Sequence, residues 1–344
     1  DRDRVGRAMK LAAGLLAMLI APAAAFTAAR RGLTGSVRRQ PMGLRMASSK
    51  RLTNPSELLD KTDVFIFDCD GVIWRGDSLI DGVPETLELL KRLGKKFFFV
   101  TNNSTKSRAG YLSKFKSLGL DVPAETILSS SFAVSAWCEL NKFKETGKKM
   151  YIIGEVGIQE ELDLIGVPHI GGPQFKDMTA ELKSGGRVDV DPNVGAVVVG
   201  FDRHINYYKI QYAQLCINEL GAQFIATNLD QVTHLTDAQE WAGNGAMVGA
   251  IKGCTNQDPI VVGKPSGLLC DYLCETYSLD PSRICMVGDR LNTDILFGLD
   301  NSLGTCLTLS GVTSEQQLLS PQNTISPDYY VDSIADWLPH SRSR

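Results

Sequence analysis

The chain has 344 residues, with 36 Lys and Arg against 39 Asp and Glu, and 43% of it is apolar. Its net charge of −3 is uneven: residues 1–56 carry 11 basic and two acidic side chains, residues 57–344 carry 25 basic and 37 acidic ones. A body this acidic, with no basic cluster and no apolar run long enough to span a bilayer, excludes nucleic-acid binding through a broad electrostatic footprint and predicts a soluble protein.

At the N-terminus, MKLAAGLLAMLIAPAAA from Met9 places one lysine before fifteen uncharged residues, Leu11 to Ala25, and ends in small residues. This is the layout of a secretory signal peptide, and Pro22 with the short run argues against a membrane anchor. The segment that follows, from Phe26 to Arg51, is rich in Arg, Ser and Thr, with no acid before Glu57, as in transit peptides. Signal plus transit segment resembles the bipartite leaders of proteins imported into complex plastids, so residues 1–56 are expected to be a targeting leader to the plastid stroma. A simple secreted protein is the rival reading. Eight scattered cysteines without a C-x-x-C pair favour a reducing compartment.

The body, about 290 residues, exceeds what one compact core usually holds, so two domains are expected. Short apolar runs end abruptly in polar residues, as buried parallel strands do: VFIFD (64–68), KFFFVTNN (96–103), AVVVGF (196–201), QFIATN (223–228), IVVGK (260–264), ICMVGD (284–289) and TCLTLSG (305–311). Amphipathic stretches at 83–94, 107–119, 207–221 and 268–279 alternate with them. The pattern predicts an α/β protein with parallel sheets and right-handed crossovers, and 171–193 is its most loop-like part.

Ligands of such sheets bind beyond the carboxyl ends of strands. The first strand ends in Asp68-Cys69-Asp70-Gly71, which at a period of two sends Asp68 and Asp70 to one side and Cys69 to the other. Two adjacent carboxylates need a proton or a cation between them, and Mg²⁺ with phosphate oxygens is a common solution. The second strand ends in Thr101-Asn102-Asn103, donors at the start of a helix, where anions such as phosphate are favoured. Lys264 follows another buried strand but is not in a Walker loop, because Asp258 and Pro265 break that pattern. Asp289 and Asp294 follow the strand 284–288. Taken singly, these are also ordinary turn formers, caps and surface residues.

In this order, however, the four resemble the motifs of the haloacid dehalogenase superfamily of phosphohydrolases: D-x-D-G-[TV], a strand-ending Ser or Thr, a Lys, and G-D-x-x-x-x-D. The resemblance implies a doubly wound parallel-sheet (Rossmann-like) core. It makes Asp68 the nucleophile that forms an aspartyl-phosphate and Asp70 the acid and base. Mg²⁺ would be held by the Asp68 carboxylate, the Asp70 carbonyl and Asp289, with Asp294 reaching it through water or orienting neighbours. Thr101 and the amides around Asn102 and Asn103 would bind the phosphoryl group, and Lys264 would offset its charge.

Motifs two and three are 160 residues apart, more than one crossover needs, so an α/β domain is inserted there, roughly 149–257. The expected layout is leader 1–56, core 57–148, cap 149–257 and core 258–344. Its size and place resemble the large cap of the subfamily containing phosphoglycolate, pyridoxal-phosphate and nitrophenyl phosphatases. Segments 65–77, 99–108, 194–212, 224–243 and 284–298 resemble plastid phosphoglycolate phosphatases, which implies a small phosphorylated metabolite as partner and photorespiratory salvage. Other small phosphates and a catalytically silent binding protein are the rivals, and a homodimer is possible under the resemblance.

In related enzymes a cap loop reaches the site; here it holds Asn228, Thr233, His234 and Leu235, with His234 the first choice for a substrate carboxylate and Arg203 and His204 behind it. Gly243-Asn244-Gly245 reads as the turn opening a helix, Trp74, Trp241 and Phe97–Phe99 as packing, and Cys69 as a small buried neighbour of the nucleophile. His169, His204, His234 and His340 lack zinc-ligand spacing.

Overall fold

The computed structural model describes residues 49–233 and 239–339. The expected leader to residue 48 and His234 lie outside the described residues. In chain order the strands are β1 (Lys50–Arg51), β2 (Val64–Phe67), β3 (Trp74–Arg75), β4 (Ser78–Leu79), β5 (Lys96–Thr101), β6 (Ile127–Ser129), β7 (Lys149–Ile153), β8 (His169–Gly171), β9 (Val194–Val199), β10 (Gln223–Ala226), β11 (Val232–Thr233), β12 (Trp241–Ala242), β13 (Ile260–Val261), β14 (Ile284–Gly288), β15 (Gly304–Thr308) and β16 (Tyr329–Val331). The longer helices are α1 (Val83–Arg92), α2 (Arg108–Ser117), α3 (Ser130–Leu140), α4 (Val156–Ile165), α5 (Tyr207–Asn218), α6 (Asn244–Thr255) and α7 (Leu268–Tyr277).

Two all-parallel sheets organise them. The core sheet has the order β1-β16-β15-β14-β2-β5-β6, and the cap sheet the order β13-β10-β9-β7-β8. Both are covered on both faces, which is why their strands read as continuous apolar runs. In β2, Val64 and Ile66 pack into one apolar cluster with α3 and α7, while Phe65 and Phe67 pack into another with α1 and α2. The cap sheet shares the first of these clusters through Met150, Ile152 and α4, and packs Tyr151, Val197 and Val199 against α5 and α6 on its other face. The long stretch 176–193 contains no strand or helix.

Chain direction across the core sheet reverses between β2 and β14. From β2 the chain proceeds outward to β5 and β6, and from β14 outward to β15 and β16. The carboxyl ends of these two adjacent strands open a crevice at this switch point, and Asp68 and Asp289 stand at its lip. The placement of Ile260–Val261 differs from the expected layout: β13 pairs with β10, so the chain completes the cap sheet before it re-enters the core. No helix among the described residues is long and apolar enough to cross a membrane.

Candidate active site

Asp68 directly follows β2, where its amide donates to the Val287 carbonyl of β14 at 2.9 Å. Its carboxylate Oδ1 accepts from Lys264 Nζ at 2.6 Å. The same ammonium donates to the Val100 carbonyl at 2.8 Å and lies 2.8 Å from Asp294 Oδ1. Lys264 is only 2% exposed and its three protons are matched by three acceptors. Burial alone would lower the ammonium, but Asp294 and Asp68 overcome it and hold Lys264 well above its usual range. It is a fixed positive charge.

Asp289 sits in a cradle that excludes larger neighbours. A Cβ on Gly71, whose φ is +85°, would lie 2.4 Å from Asp289 Oδ2, and one on Gly311 would also collide with that oxygen. Asp289 Oδ2 accepts from the Val312 amide at 2.7 Å, whereas Oδ1 is buried without a hydrogen-bond partner among the described residues. Asp294 Oδ2 accepts from the amides of Asp289 (3.1 Å) and Arg290 (3.0 Å), which closes the turn after β14. Burial, reinforced by Asp294, pushes the Asp289 carboxyl up to about 7. It also raises Asp68, with Lys264 opposing and Asp294, Asp289 and Asp70 adding to the shift.

Oxygens of Asp68, Asp289 and Asp294 lie within 4.8 Å of one another. Three buried carboxylates stand around one ammonium that pairs with only two of them, Asp68 and Asp294, and Asp289 Oδ1 has no donor among the described residues. This donor set fits a hard divalent cation with oxygen ligands. The Asp70 carboxylate is not in that group. It is exposed at the cavity, and its Oδ1 accepts from Trp74 Nε1 at 2.8 Å. Trp74 therefore packs on Phe115, as expected of a buried aromatic, and also orients Asp70, a role the sequence reading missed. The i, i+4 spacing within a tight turn was the available signal.

The residues after β5 divide their work. Thr101 is buried, and its hydroxyl accepts from the Asn103 amide at 3.2 Å. The Asn103 side chain accepts from the amide (2.9 Å) and hydroxyl (2.7 Å) of Thr105 and shapes the loop. The Asn102 side chain turns to Lys264: Oδ1 accepts its amide at 2.8 Å and Nδ2 donates to its carbonyl at 3.0 Å. These two bonds position the lysine backbone. The Asn102 carbonyl in turn accepts from Ser130 Oγ and Asn228 Nδ2.

These groups form the floor of a cavity of about 980 Å³ between core and cap. Asn228, Thr233, Gln239 and Glu240 line it from the cap side, the last three at or beside the antiparallel β11–β12 hairpin. Residues 234–238, including His234 and Leu235, lie outside the described residues. Arg203 and His204 do not line the cavity, and Arg203 pairs with Glu155 at 2.6 Å instead. Asn244 opens α6, consistent with the turn reading, and its amide nitrogen donates to the Asn228 carbonyl at 2.8 Å. Trp241 is exposed rather than packed in the core.

A buried nucleophile-like Asp, a saturated lysine and a cation-ready acid cluster at a switch point define a phosphoryl-transfer type of site. Family models agree: haloacid dehalogenase-like hydrolase matches residues 65–168, and HAD-hydrolase-like matches residues 261–337. The chain belongs to the haloacid dehalogenase-like hydrolases. It is 56% identical to phosphoglycolate phosphatase 1A, chloroplastic, of Arabidopsis thaliana over 295 residues, covering 86% of this chain and 81% of that protein. It is 51% identical to phosphoglycolate phosphatase 2 of the same plant, covering 83% and 95%. Among solved structures, 4-nitrophenylphosphatase from Thermotoga maritima superposes with a TM-score of 0.69 at 28% identity, covering 81% and 97%.

Proposed function

We propose that the protein is a Mg²⁺-dependent phosphatase that hydrolyses 2-phosphoglycolate to glycolate and phosphate. The observation that carries the chemistry is the Asp68–Lys264–Asp294–Asp289 cluster at the ends of β2 and β14. The names of the relatives above support the substrate. Asp68, Asp289 and Asp294, with the Asp70 carbonyl, would hold Mg²⁺, which when bound neutralises phosphoryl charge and relieves repulsion of the anionic nucleophile.

The protein's own groups do the rest. Asp68 attacks phosphorus in line and takes the phosphoryl group as an aspartyl-phosphate, splitting one displacement into two. Asp70, steered by Trp74, gives a proton to the leaving alkoxide and then takes one from the hydrolytic water. Lys264, already fixed by Asp68, Asp294 and the Asn102 side chain, compensates transition-state charge without reorganising. Thr101, the Asn102 amide and the Asn103 amide, which gives up its 3.2 Å bond to the Thr101 hydroxyl, receive phosphoryl oxygens, and the cap screens the site from bulk water.

A second reading, the same chemistry on a larger monoester such as glycerol phosphate, pyridoxal phosphate or nitrophenyl phosphate, is favoured by the roomy cavity. Turnover of a panel of small phosphates with and without Mg²⁺ decides. The first reading requires 2-phosphoglycolate to have the highest kcat/KM, and a higher value for any other monoester removes it. We also infer a plastid location, supported by the chloroplastic relative and the leader composition; sequencing the mature N-terminus from the organism tests it, and retention of Met9 overturns it.

A further inference from the structure

The cavity carries seven acidic side chains among its described lining residues and three cations, Arg75, Lys264 and Arg290. A substrate with both a phosphate and a carboxylate needs a cation for each, because the acidic walls otherwise repel the second charge. Lys264 is not available for the carboxylate: its three donors are spent on Asp68, Val100 and Asp294.

Arg290 is different. Its backbone is pinned in the turn of motif four, where its amide donates to Asp294 Oδ2 at 3.0 Å and its carbonyl accepts from the Asp294 amide at 3.1 Å. It directly follows Asp289, so its side chain starts at the edge of the acid cluster and is half-buried in the cavity wall. Among the described residues its guanidinium makes one hydrogen bond, a long one of 3.4 Å from Nη1 to the Val232 carbonyl of the β11–β12 hairpin. The nearby Asp230 accepts from Asn102 Nδ2, at 3.1 and 3.3 Å, and Arg290 acts on it and on Asp289 through its charge rather than through a hydrogen bond. A planar donor fork beside the phosphoryl site, with most of its donors uncommitted among the described residues, suits a carboxylate.

In 2-phosphoglycolate a single methylene separates the ester oxygen from the carboxylate, so the cation that receives it must line the cavity close to the phosphoryl site, as Arg290 does where the motif-four turn meets the β11–β12 hairpin. Arg75 is exposed on the β3–β4 hairpin, with Nε committed to the Ser310 carbonyl at 2.6 Å.

We propose that Arg290 binds the carboxylate of the substrate and sets the preference for a phosphorylated 2-hydroxy acid over neutral phosphate esters; this rests on the phosphoglycolate reading above. The test is kcat/KM of the full Mg²⁺-loaded enzyme on 2-phosphoglycolate and on p-nitrophenyl phosphate, for wild type, Arg290→Met, Arg290→Lys and Arg75→Met. Arg290→Met is expected to lose roughly 30-fold or more on 2-phosphoglycolate, mostly in KM, and under about 3-fold on p-nitrophenyl phosphate, with Arg290→Lys intermediate. Retained turnover of the nitrophenyl ester also shows that the variant is folded. Equal losses on both substrates, or a selective loss in Arg75→Met instead, overturn the assignment of Arg290 while leaving the phosphatase reading intact. A wild type that turns over 2-phosphoglycolate no better than the nitrophenyl ester removes the substrate reading, and the role of Arg290 with it.

Discussion

On the core side of the cavity, Asp68, Lys264, Asp289 and Asp294 are buried and joined by contacts of 2.6 to 3.1 Å. On the cap side Asn228 is buried and bonded to the Asn102 carbonyl at 2.7 Å, but in the hairpin Val232 and Thr233 are half-buried, Gln239 and Glu240 are exposed, and among the described residues one bond of 3.4 Å ties the hairpin to the motif-four turn. The floor is assembled before a substrate arrives, as electrostatic catalysis requires. Among the described residues the hairpin part of the wall is lightly held, as a surface that admits and sorts substrates must be. Chemistry common to all phosphate esters should therefore depend on the floor, and discrimination among them on the wall and on Arg290, whose side chain joins the two.

Substitutions on the floor should break turnover of every ester alike. Asp68→Asn is expected to lose roughly 10⁴-fold or more in kcat on both 2-phosphoglycolate and p-nitrophenyl phosphate with the circular dichroism spectrum unchanged. Residual Mg²⁺-dependent turnover near wild type would dismantle the floor as drawn. Lys264→Met leaves buried carboxylates unpaired. Beyond a loss of about 10³-fold in kcat, it should cost about 3–5 kcal/mol of stability in Mg²⁺-free buffer, measured by urea unfolding. Asn102→Ala releases the Lys264 backbone, with an expected fall of roughly 10- to 100-fold in kcat and little change in KM.

The acid cluster gives the comparison a pH axis. Without metal, Asp289 is raised to about 7 and Asp68 is also raised. The native state then holds more protons than the unfolded chain from about pH 4 upward, so this part of the stability is present at low pH and lost as pH rises through about 7. Mg²⁺ replaces those protons, so it should raise Tm by several degrees more at pH 8 than at pH 5 in thermal scans. A pH-independent increment would mean that the cluster does not bind the ion. The smallest effect is at Trp74: Trp74→Phe keeps the packing but frees the Asp70 carboxylate, and roughly a 3- to 10-fold loss in kcat with little change in KM is expected.

The floor was legible in the sequence because each motif residue stands where a continuous apolar strand stops, and that transition is local. The contacts that make the floor rigid were not, since Asn102 and Lys264 meet across 162 residues. Short strands also escaped: Ile127–Ser129 and Tyr329–Val331 have three residues each, too few to show a period. Helix α3 was missed because it is buried on nearly every face, so SSFAVSAWCEL shows small buried serines where a surface helix would show a charged stripe. The membership of β13 in the cap sheet was invisible for another reason, because a parallel strand carries no local mark of its partner.

The floor can be interrogated without any assumption about the wall. Acid quenching during turnover of ³²P-labelled substrate, followed by peptide mapping, reports which residue carries the phosphoryl group. Label on the peptide containing Asp68, absent in Asp68→Asn and dependent on Mg²⁺, is the expected result. Label on a different residue, or turnover in the variant at the wild-type rate with none trapped, would contradict the assignment of Asp68 and the floor built around it.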